Sequence, residues 1–366
     1  MTRIEEVQAK LERVRNLMAE EELGAVVLGG QSSFAWITAG GDSHVVMGSE
    51  RGVAMALITA DDHYVVTDNI EAGRIETEEV AGLGFEIVAD EWHKNNLNDL
   101  INDLAPGDVA ADGNWLTGAT DLGDSLAELT WELMPPEIER YRALGAEVSD
   151  CLGQACQEIE PGWTEFQIGA LLSQKLRGGG IHPLVILIAV DKRIRRFRHP
   201  IPTAAKLERY AMLVASVRRG GLIASATRLV HFGALDRDLR QRHDACVKVD
   251  ACFNLETKPG ATAGQVFAKA ARMYAETGYP DEWRLHHQGG ATGYQGRSYK
   301  ATATTPYRVL ANQAFAWNPS IAGTKSEDTI LATPDGPEVL TPAPDWPMIE
   351  VEYGGRSMPR PDMLVR

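Results

Sequence analysis

The chain has 366 residues, of which 44% are hydrophobic and 24% charged, a composition typical of a globular protein long enough for two domains. Its 51 acidic residues outnumber 36 basic ones, and the net charge of −15 argues against nucleic-acid or anionic-membrane partners. No apolar run approaches the ~20 residues of a membrane span. The N-terminal stretch predicts a charged amphipathic helix and not a signal peptide, so we expect a cytoplasmic protein.

The first part of the chain alternates short apolar segments with helical patterns. A helix is predicted over residues 2–22. Strands are predicted for GAVVL, SFAWIT, VAMALI and HYVVT, which begin at Gly24, Ser33, Val53 and His63. An acidic helix, the strand FEIV, another helix and the segment DVAADG follow. The alternation indicates an α/β domain, assigned to residues 1–130, with MPP at 134–136 as a linker.

Four cysteines follow in two segments with helical periodicity: Cys151, Cys156, Cys246 and Cys252. None forms a CxxC pair, and none has the spacing of a zinc site. We therefore expect free, buried thiols in a reducing compartment and no catalytic cysteine.

Two similar segments mark an internal duplication in the second part. Pro161 begins PGWTEFQ, and PGATAGQ begins 98 residues later at Pro259. In both, Thr is followed three residues later by Gln, the pattern of a helix capping box. Each segment comes after a predicted long helix and before extended segments. The repeat predicts two helix–helix–strand halves whose strands form one curved sheet with the helices outside.

We assign this duplicated α+β domain to residues 131–345. Its candidate inner strands are PLVILIAV, AMLVASV and GLIASATRLV, together with a ribbon at residues 311–333. The ribbon contains Asn318, Glu327 and Thr329 among apolar residues, and buried polar groups cost free energy unless they have partners. It is therefore the predicted site. Residues 346–366 are expected to form an extended tail over the surface or against a partner subunit.

Several motifs resemble one superfamily in their order and spacing. They are SFAWITAG (33–40), EIEPGWTEFQIG (158–169), RHPIPT (198–203), SATR (225–228), HHQGGATGY (286–294), NPSIAG (318–323) and SEDTILAT (326–333). The chain resembles the pita-bread superfamily of creatinase, prolidase and aminopeptidase P over nearly its whole length. The resemblance implies an α/β fold class: a creatinase-like N-terminal α/β domain followed by a pita-bread C-terminal domain. It also implies a homodimer.

The metallopeptidases of this superfamily bind two metal ions through two aspartates, a histidine and two glutamates. The matching positions here are one residue of 214–216, then Ser225, Gly290, Asn318 and Glu327. Hard divalent ions need several anionic oxygens or imidazoles, so we expect no metal pair and no other cofactor. His286 and His287 are adjacent. On a strand they would point to opposite faces, with His287 towards the site.

Creatinase retains this fold without a metal and uses a histidine for proton transfer. The resemblance gives that role to His199, with Glu327 as the second catalytic residue. It implies hydrolysis of a C–N bond in a small polar substrate, and the arginines before His199 indicate that this substrate carries a carboxylate. The expected substrate-binding residues are His286, His287, Asn318, Arg196, Arg198 and Arg297. Asn318 would donate to a developing oxyanion, and the arginines would bind the carboxylate.

Other interpretations stay open. Lyase or decarboxylase chemistry could use the same pocket, and a non-catalytic pseudo-peptidase could bind a peptide or a partner protein. A conventional Xaa-Pro metallopeptidase would follow if the motif alignment were wrong. The basic residues before His199 could be a solvated loop. Glu327 could form a structural ion pair with its neighbour Lys325, and Arg228 could tie a strand to Glu327 or Asp328.

Overall fold

The computed structural model describes all 366 residues, which divide into two compact units. The first contains residues 1–138 and 220–222, and the second contains residues 139–219 and 223–366. No helix in the chain combines the length and apolarity needed to cross a membrane. The predicted fold, an α/β unit followed by a pita-bread unit, is confirmed.

The first unit is built on one six-stranded sheet of order β4-β3-β2-β1-β5-β6. Its strands are β1 (Ala25–Gly30), β2 (Arg51–Thr59), β3 (His63–Asp68), β4 (Glu86–Asp90), β5 (Val109–Ala111) and β6 (Thr120–Asp121). Its helices are α1 (Arg3–Glu20), α2 (Gln31–Ile37), α3 (Ala72–Arg74), α4 (Leu97–Leu104) and α5 (Gly123–Glu128), with short π and 3-10 turns at Ile75–Glu79 and Trp92–Lys94.

The segment SFAWIT, predicted as a strand, belongs to helix α2. That prediction was wrong because periodicity alone does not separate a short apolar run in a strand from one in a buried helix. Gln31 and Phe34, three residues apart, are both buried, and the helix ends where the Thr38 hydroxyl donates to the Phe34 carbonyl at 2.6 Å.

The second unit contains the two capped helices that the repeat predicted. Thr164 with Gln167 and Thr262 with Gln265 form complete capping boxes. The helices are α6 (Pro135–Glu158), α7 (Glu165–Gly178), α8 (Lys192–Arg196), α9 (Arg237–Glu256) and α10 (Ala263–Glu276), with a 3-10 turn at Glu282–Leu285. The expected MPP linker instead provides the start of α6, because proline is well tolerated in the first turn of a helix.

The strands of this unit form two main sheets and not the single one predicted. One has the order β19-β9-β8-β7 and the other β11-β10-β12-β15-β16. The strands are β7 (His182–Val190), β8 (Tyr210–Arg219), β9 (Leu222–His231), β10 (Gly289–Thr292), β11 (Tyr299–Lys300), β12 (Gln313–Trp317), β13 (Ser320–Ile321), β14 (Thr324–Lys325), β15 (Asp328–Thr333), β16 (Gly336–Val339), β17 (Met348–Tyr353), β18 (Arg356–Pro361) and β19 (Leu364–Val365). Hydrogen bonds such as that from Thr227 N to Glu327 O, at 3.0 Å, join the two sheets.

The C-terminal residues, expected to run over the surface, take part in the fold of the second unit. Strands β17 and β18 pair as a hairpin, and β19 pairs in parallel with β9. Arg360, on β18, is fully buried and forms ion pairs with Asp250 and Asp328. The four cysteines are free and buried, as expected.

Candidate active site

The predicted polar ribbon is the part of the second unit that organises the site. Strand β12 pairs antiparallel with β15, with Trp317 opposite Asp328. Asn318 and Glu327 are the next residues beyond this end of the ladder. Both are 3% exposed, and the short β13–β14 hairpin lies between them in the chain. Both polar residues are thus buried at the same end of this strand pair.

Glu327 lies at the centre of a buried ion cluster. Its carboxylate is 2.8 Å from Lys325 Nζ and 3.3 Å from Arg297 Nη2. It also accepts a hydrogen bond from the Thr227 hydroxyl at 2.9 Å. Burial alone would raise the pKa of Glu327, but the two cations outweigh that effect and hold the pKa below its usual value. The carboxylate is therefore charged, and two cations face one anion.

Three histidines converge next to this cluster. His199 follows α8, and His286 and His287 follow the 3-10 turn. His199 Nε2 is 2.9 Å from His286 Nε2, and the His286 and His287 rings stack with centroids 4.5 Å apart. His199 is exposed, although its ring lies against the other two.

The prediction that His286 and His287 point to opposite faces was wrong. It assumed a strand, but β10 begins only at Gly289. The side chain of Gln288 donates to the His286 carbonyl at 2.6 Å and to the Trp283 carbonyl at 3.2 Å. These bonds hold the segment between the 3-10 turn and β10, in which both rings stack on one side.

The environment keeps all three imidazoles neutral. Burial first, and then nearby cations including Lys325, lower the pKa of His286 to about 2 and that of His287 to about 4. The pKa of His199 is also lowered, first because its ring is partly shielded from water where it lies against the other two, and then by Lys325, with Glu327 partly opposing. His286 and His287 are thus weak bases, and His199 is the neutral imidazole of the three best suited to accept a proton near pH 7.

The other expected binding residues are only partly brought together. Arg297 contacts Glu327. Asn318 is buried, and its side-chain oxygen has no hydrogen-bond partner. Arg198 instead pairs with Glu282 and donates to the Ser320 hydroxyl at 3.0 Å. Arg196 is exposed on α8, and no contact joins it to the histidines.

Lys325 belongs to the site, whereas its place in the sequence predicts only a structural ion pair with Glu327. It is 4% exposed and also lowers the pKa values of the three histidines. The sequence signal for this place is that Lys325 and Glu327 are two residues apart, because residues at that spacing point to the same face of an extended chain.

The order of the motifs predicts that Ser216, Ser225 and Gly290 stand at or near positions of the superfamily's metal ligands. The hydroxyls of Ser216 and Ser225 lie 3.0 Å apart and hydrogen-bond to each other. Gly290 has φ +153°, and a Cβ there would lie 2.2 Å from the Tyr299 carbonyl oxygen, so this backbone has no room for an imidazole. The three histidines of the cluster bring their ring nitrogens within 4.8 Å of one another, a spacing that a transition-metal ion could bridge.

Comparisons with known sequences give a consistent family. Residues 139–334 match the profile of metallopeptidase family M24, and residues 10–144 match the creatinase/prolidase N-terminal domain. An uncharacterized peptidase of Staphylococcus saprophyticus is 23% identical over 213 residues, which are 56% of this chain and 61% of the relative. One from Staphylococcus aureus is 22% identical over 214 residues, with the same coverage. The aligned region thus spans 61% of the length of these relatives.

Comparisons with solved structures show the same fold at low identity. The prolidase from Pyrococcus horikoshii OT3 has a TM-score of 0.78 and 16% identity, over 91% of this chain and 98% of its own. The Xaa-Pro dipeptidase from Bacillus anthracis has a TM-score of 0.77 and 16% identity, over 98% and 100%. The N-terminal domain of the FACT complex subunit SPT16 from Cicer arietinum has a TM-score of 0.70 and 13% identity, over 93% and 97%.

Proposed function

The chain belongs to metallopeptidase family M24, and on that premise we propose that it hydrolyses a C–N bond in a short peptide that carries a carboxylate. The family and the peptidase relatives favour peptides, the alternative of the sequence analysis, over a creatinase-type small substrate. They also favour hydrolysis over lyase or decarboxylase chemistry. The observation that carries the proposal is the group of neutral imidazoles beside the Lys325–Glu327–Arg297 cluster.

The residues present do not fit the pair of metal ions that the family implies. Glu327 already pairs with two cations, and Asn318 offers only a neutral amide oxygen. Ser216, the polar candidate among residues 214–216, and Ser225 offer neutral hydroxyls, and Gly290 offers no side chain. Such donors lack the anionic oxygens that hard divalent ions require. We therefore derive no catalytic step through a metal pair.

His199 is the proposed proton-transfer residue. Its Nε2 is within hydrogen-bond distance of His286 Nε2, which orients the ring and leaves Nδ1 for exchange with a water molecule. Neutral His199 takes a proton from water as the oxygen attacks the scissile carbonyl carbon. The imidazolium then returns the proton to the leaving nitrogen as the C–N bond breaks. Asn318 and Arg297 would position the substrate through hydrogen bonds.

A non-catalytic binding protein is the second candidate. The SPT16 domain shares the fold and is named as a subunit of a complex and not as a peptidase, so the fold alone does not require catalysis. A peptide would occupy the same polar site in either case. A homodimer and a cytoplasmic location stay predictions.

The test is release of free amino acid from a panel of Xaa-Pro and non-proline dipeptides. Wild-type protein should turn over at least one class. His199→Ala should reduce kcat by about 10²–10⁴-fold, the usual contribution of a general acid–base residue. The matched control is His93→Ala, which removes an exposed histidine of the first unit and should leave kcat unchanged. Unchanged turnover in His199→Ala would contradict the mechanism, and peptide binding without any turnover would favour the second candidate.

A further inference from the structure

The cluster around Glu327 has one more positive charge than negative. Lys325 is 4% exposed, and the Arg297 side chain is 15% exposed. Their common partner is one carboxylate, whose remaining hydrogen bond comes from a neutral hydroxyl. A buried charge without a counter-ion is strongly destabilising. Such an excess persists where it attracts a ligand of opposite charge.

We propose that Lys325, together with Arg297, supplies the positive charge that metal ions supply elsewhere in the family, so that the site binds an anionic oxygen on these side chains and takes up no divalent ion. The anionic oxygen belongs to the substrate, either its carboxylate or the oxyanion formed during hydrolysis. The identity of the substrate rests on the proposed function, but the preference for anions does not.

The three histidines do not change this conclusion. Their spacing would suit a transition-metal ion. However, all three rings lie in the positive field of Lys325; Arg198 adds to this field at His286, and Arg297 adds to it at His287. A field that repels a proton repels a dication more strongly, because the Coulomb energy scales with charge. The same field attracts an anion.

The strand geometry fixes the ammonium in place. Lys325 ends β14, whose partner strand β13 is held by Tyr274, which accepts a hydrogen bond from Ser320 N at 2.9 Å. The ion pair with Glu327, at 2.8 Å, then restricts the lysine side chain. A preorganised cation needs little rearrangement when negative charge develops on a bound oxygen.

The direct test is calorimetric titration of the full-length protein with manganese chloride, zinc chloride and sodium sulfate, the last as an oxyanion probe. We expect saturable binding of sulfate and none of either metal. Lys325→Met should weaken sulfate binding at least tenfold. Lys325→Arg, which keeps the charge, and Lys258→Met, which removes an exposed lysine, should retain it. If Lys325→Met fails to fold, Arg297→Met provides the same comparison.

The outcomes separate this inference from the proposed function. Stoichiometric uptake of manganese or zinc by wild-type protein, or sulfate binding that is equal in Lys325→Met, would overturn it. None of the three titrations requires turnover. A protein that hydrolyses no peptide would therefore still show whether the site binds sulfate or a metal ion. Once a substrate is known, a raised KM in Lys325→Met would identify its carboxylate as the bound anion. A lowered kcat would identify the oxyanion.

Discussion

Glu327 and Asp328 are consecutive residues whose side chains belong to different buried clusters. Asp328 binds Arg228 at 3.0 Å and Arg360 at 2.6 Å. Arg360 also binds Asp250 at 2.6 Å, so this network contains two arginines and two aspartates. Glu327 instead faces Lys325 and Arg297. Both clusters are buried, and the difference between them is charge balance. A balanced network serves the fold, whereas an unbalanced one beside neutral histidines is suited to a ligand.

The largest expected effect comes from breaking the balanced network. Asp328→Asn leaves Arg228 and Arg360 without one of their counter-ions in a fully buried position. We expect the free energy of unfolding to fall by about 3–5 kcal/mol. Urea denaturation measures it, and a loss below about 1 kcal/mol would show that the network is not structural.

Lys325→Met tests the unbalanced cluster and should cost less stability than Asp328→Asn, because Glu327 keeps Arg297 as its counter-ion. Besides weakening anion binding, it should change the proton affinity of His199. Removing a nearby cation raises the pKa of His199, so the acidic limb of the pH–rate profile should shift to higher pH. An unchanged acidic limb would show that Lys325 does not influence the pKa of the proton-transfer residue. Lys325→Arg should keep the wild-type profile.

The histidines should also make stability depend on pH. The pKa values of His286 and His287 are about 2 and about 4 in the fold, against the model-compound value of 6.5. Between pH 4 and 6.5 the unfolded chain therefore binds more protons than the native one, and stability falls as the pH falls. The melting temperature, measured from pH 7 to 4, should drop less in His286→Gln than in wild type. An equal drop in the melting temperature of both proteins would show that His286 does not cause the pH dependence.

The smallest effect should come from an exposed ion pair. Arg142 binds Glu338 through two hydrogen bonds, at 2.6 and 2.7 Å, but its side chain is 44% exposed. Arg142→Ala should change the free energy of unfolding by about 1 kcal/mol or less, since water screens such pairs. If Arg142→Ala lowered the free energy of unfolding as much as Asp328→Asn, then burial and charge balance would not determine how strongly an ion pair stabilises this protein.

The structural features that could be predicted from the sequence depend on residues close together in the chain. The capping boxes at Thr164 and Thr262 need only a glutamine three residues later, and both formed. The polar ribbon was also recognised, because its polar residues interrupt an apolar pattern. Arg228 was expected to reach Glu327 or Asp328, and it binds Asp328.

What the sequence missed depends on contacts between distant segments. The common orientation of His286 and His287 arises in an irregular segment that Gln288 holds through side-chain hydrogen bonds. The charge excess at Glu327 arises because Arg297, thirty residues away in the chain, joins Lys325. Arg198 was expected to bind substrate, but its partner Glu282 comes from the 3-10 turn. No local pattern contains these pairings.

The central claim is that fixed cations and a histidine perform the hydrolysis at this site. It is tested most directly by the rate of dipeptide cleavage after exhaustive dialysis against a chelator, measured with and without added manganese. We expect equal rates in wild-type protein and a rate lower by about 10²–10⁴-fold in His199→Ala under both conditions. Cleavage that appears only with manganese, and that persists in His199→Ala, would contradict the claim.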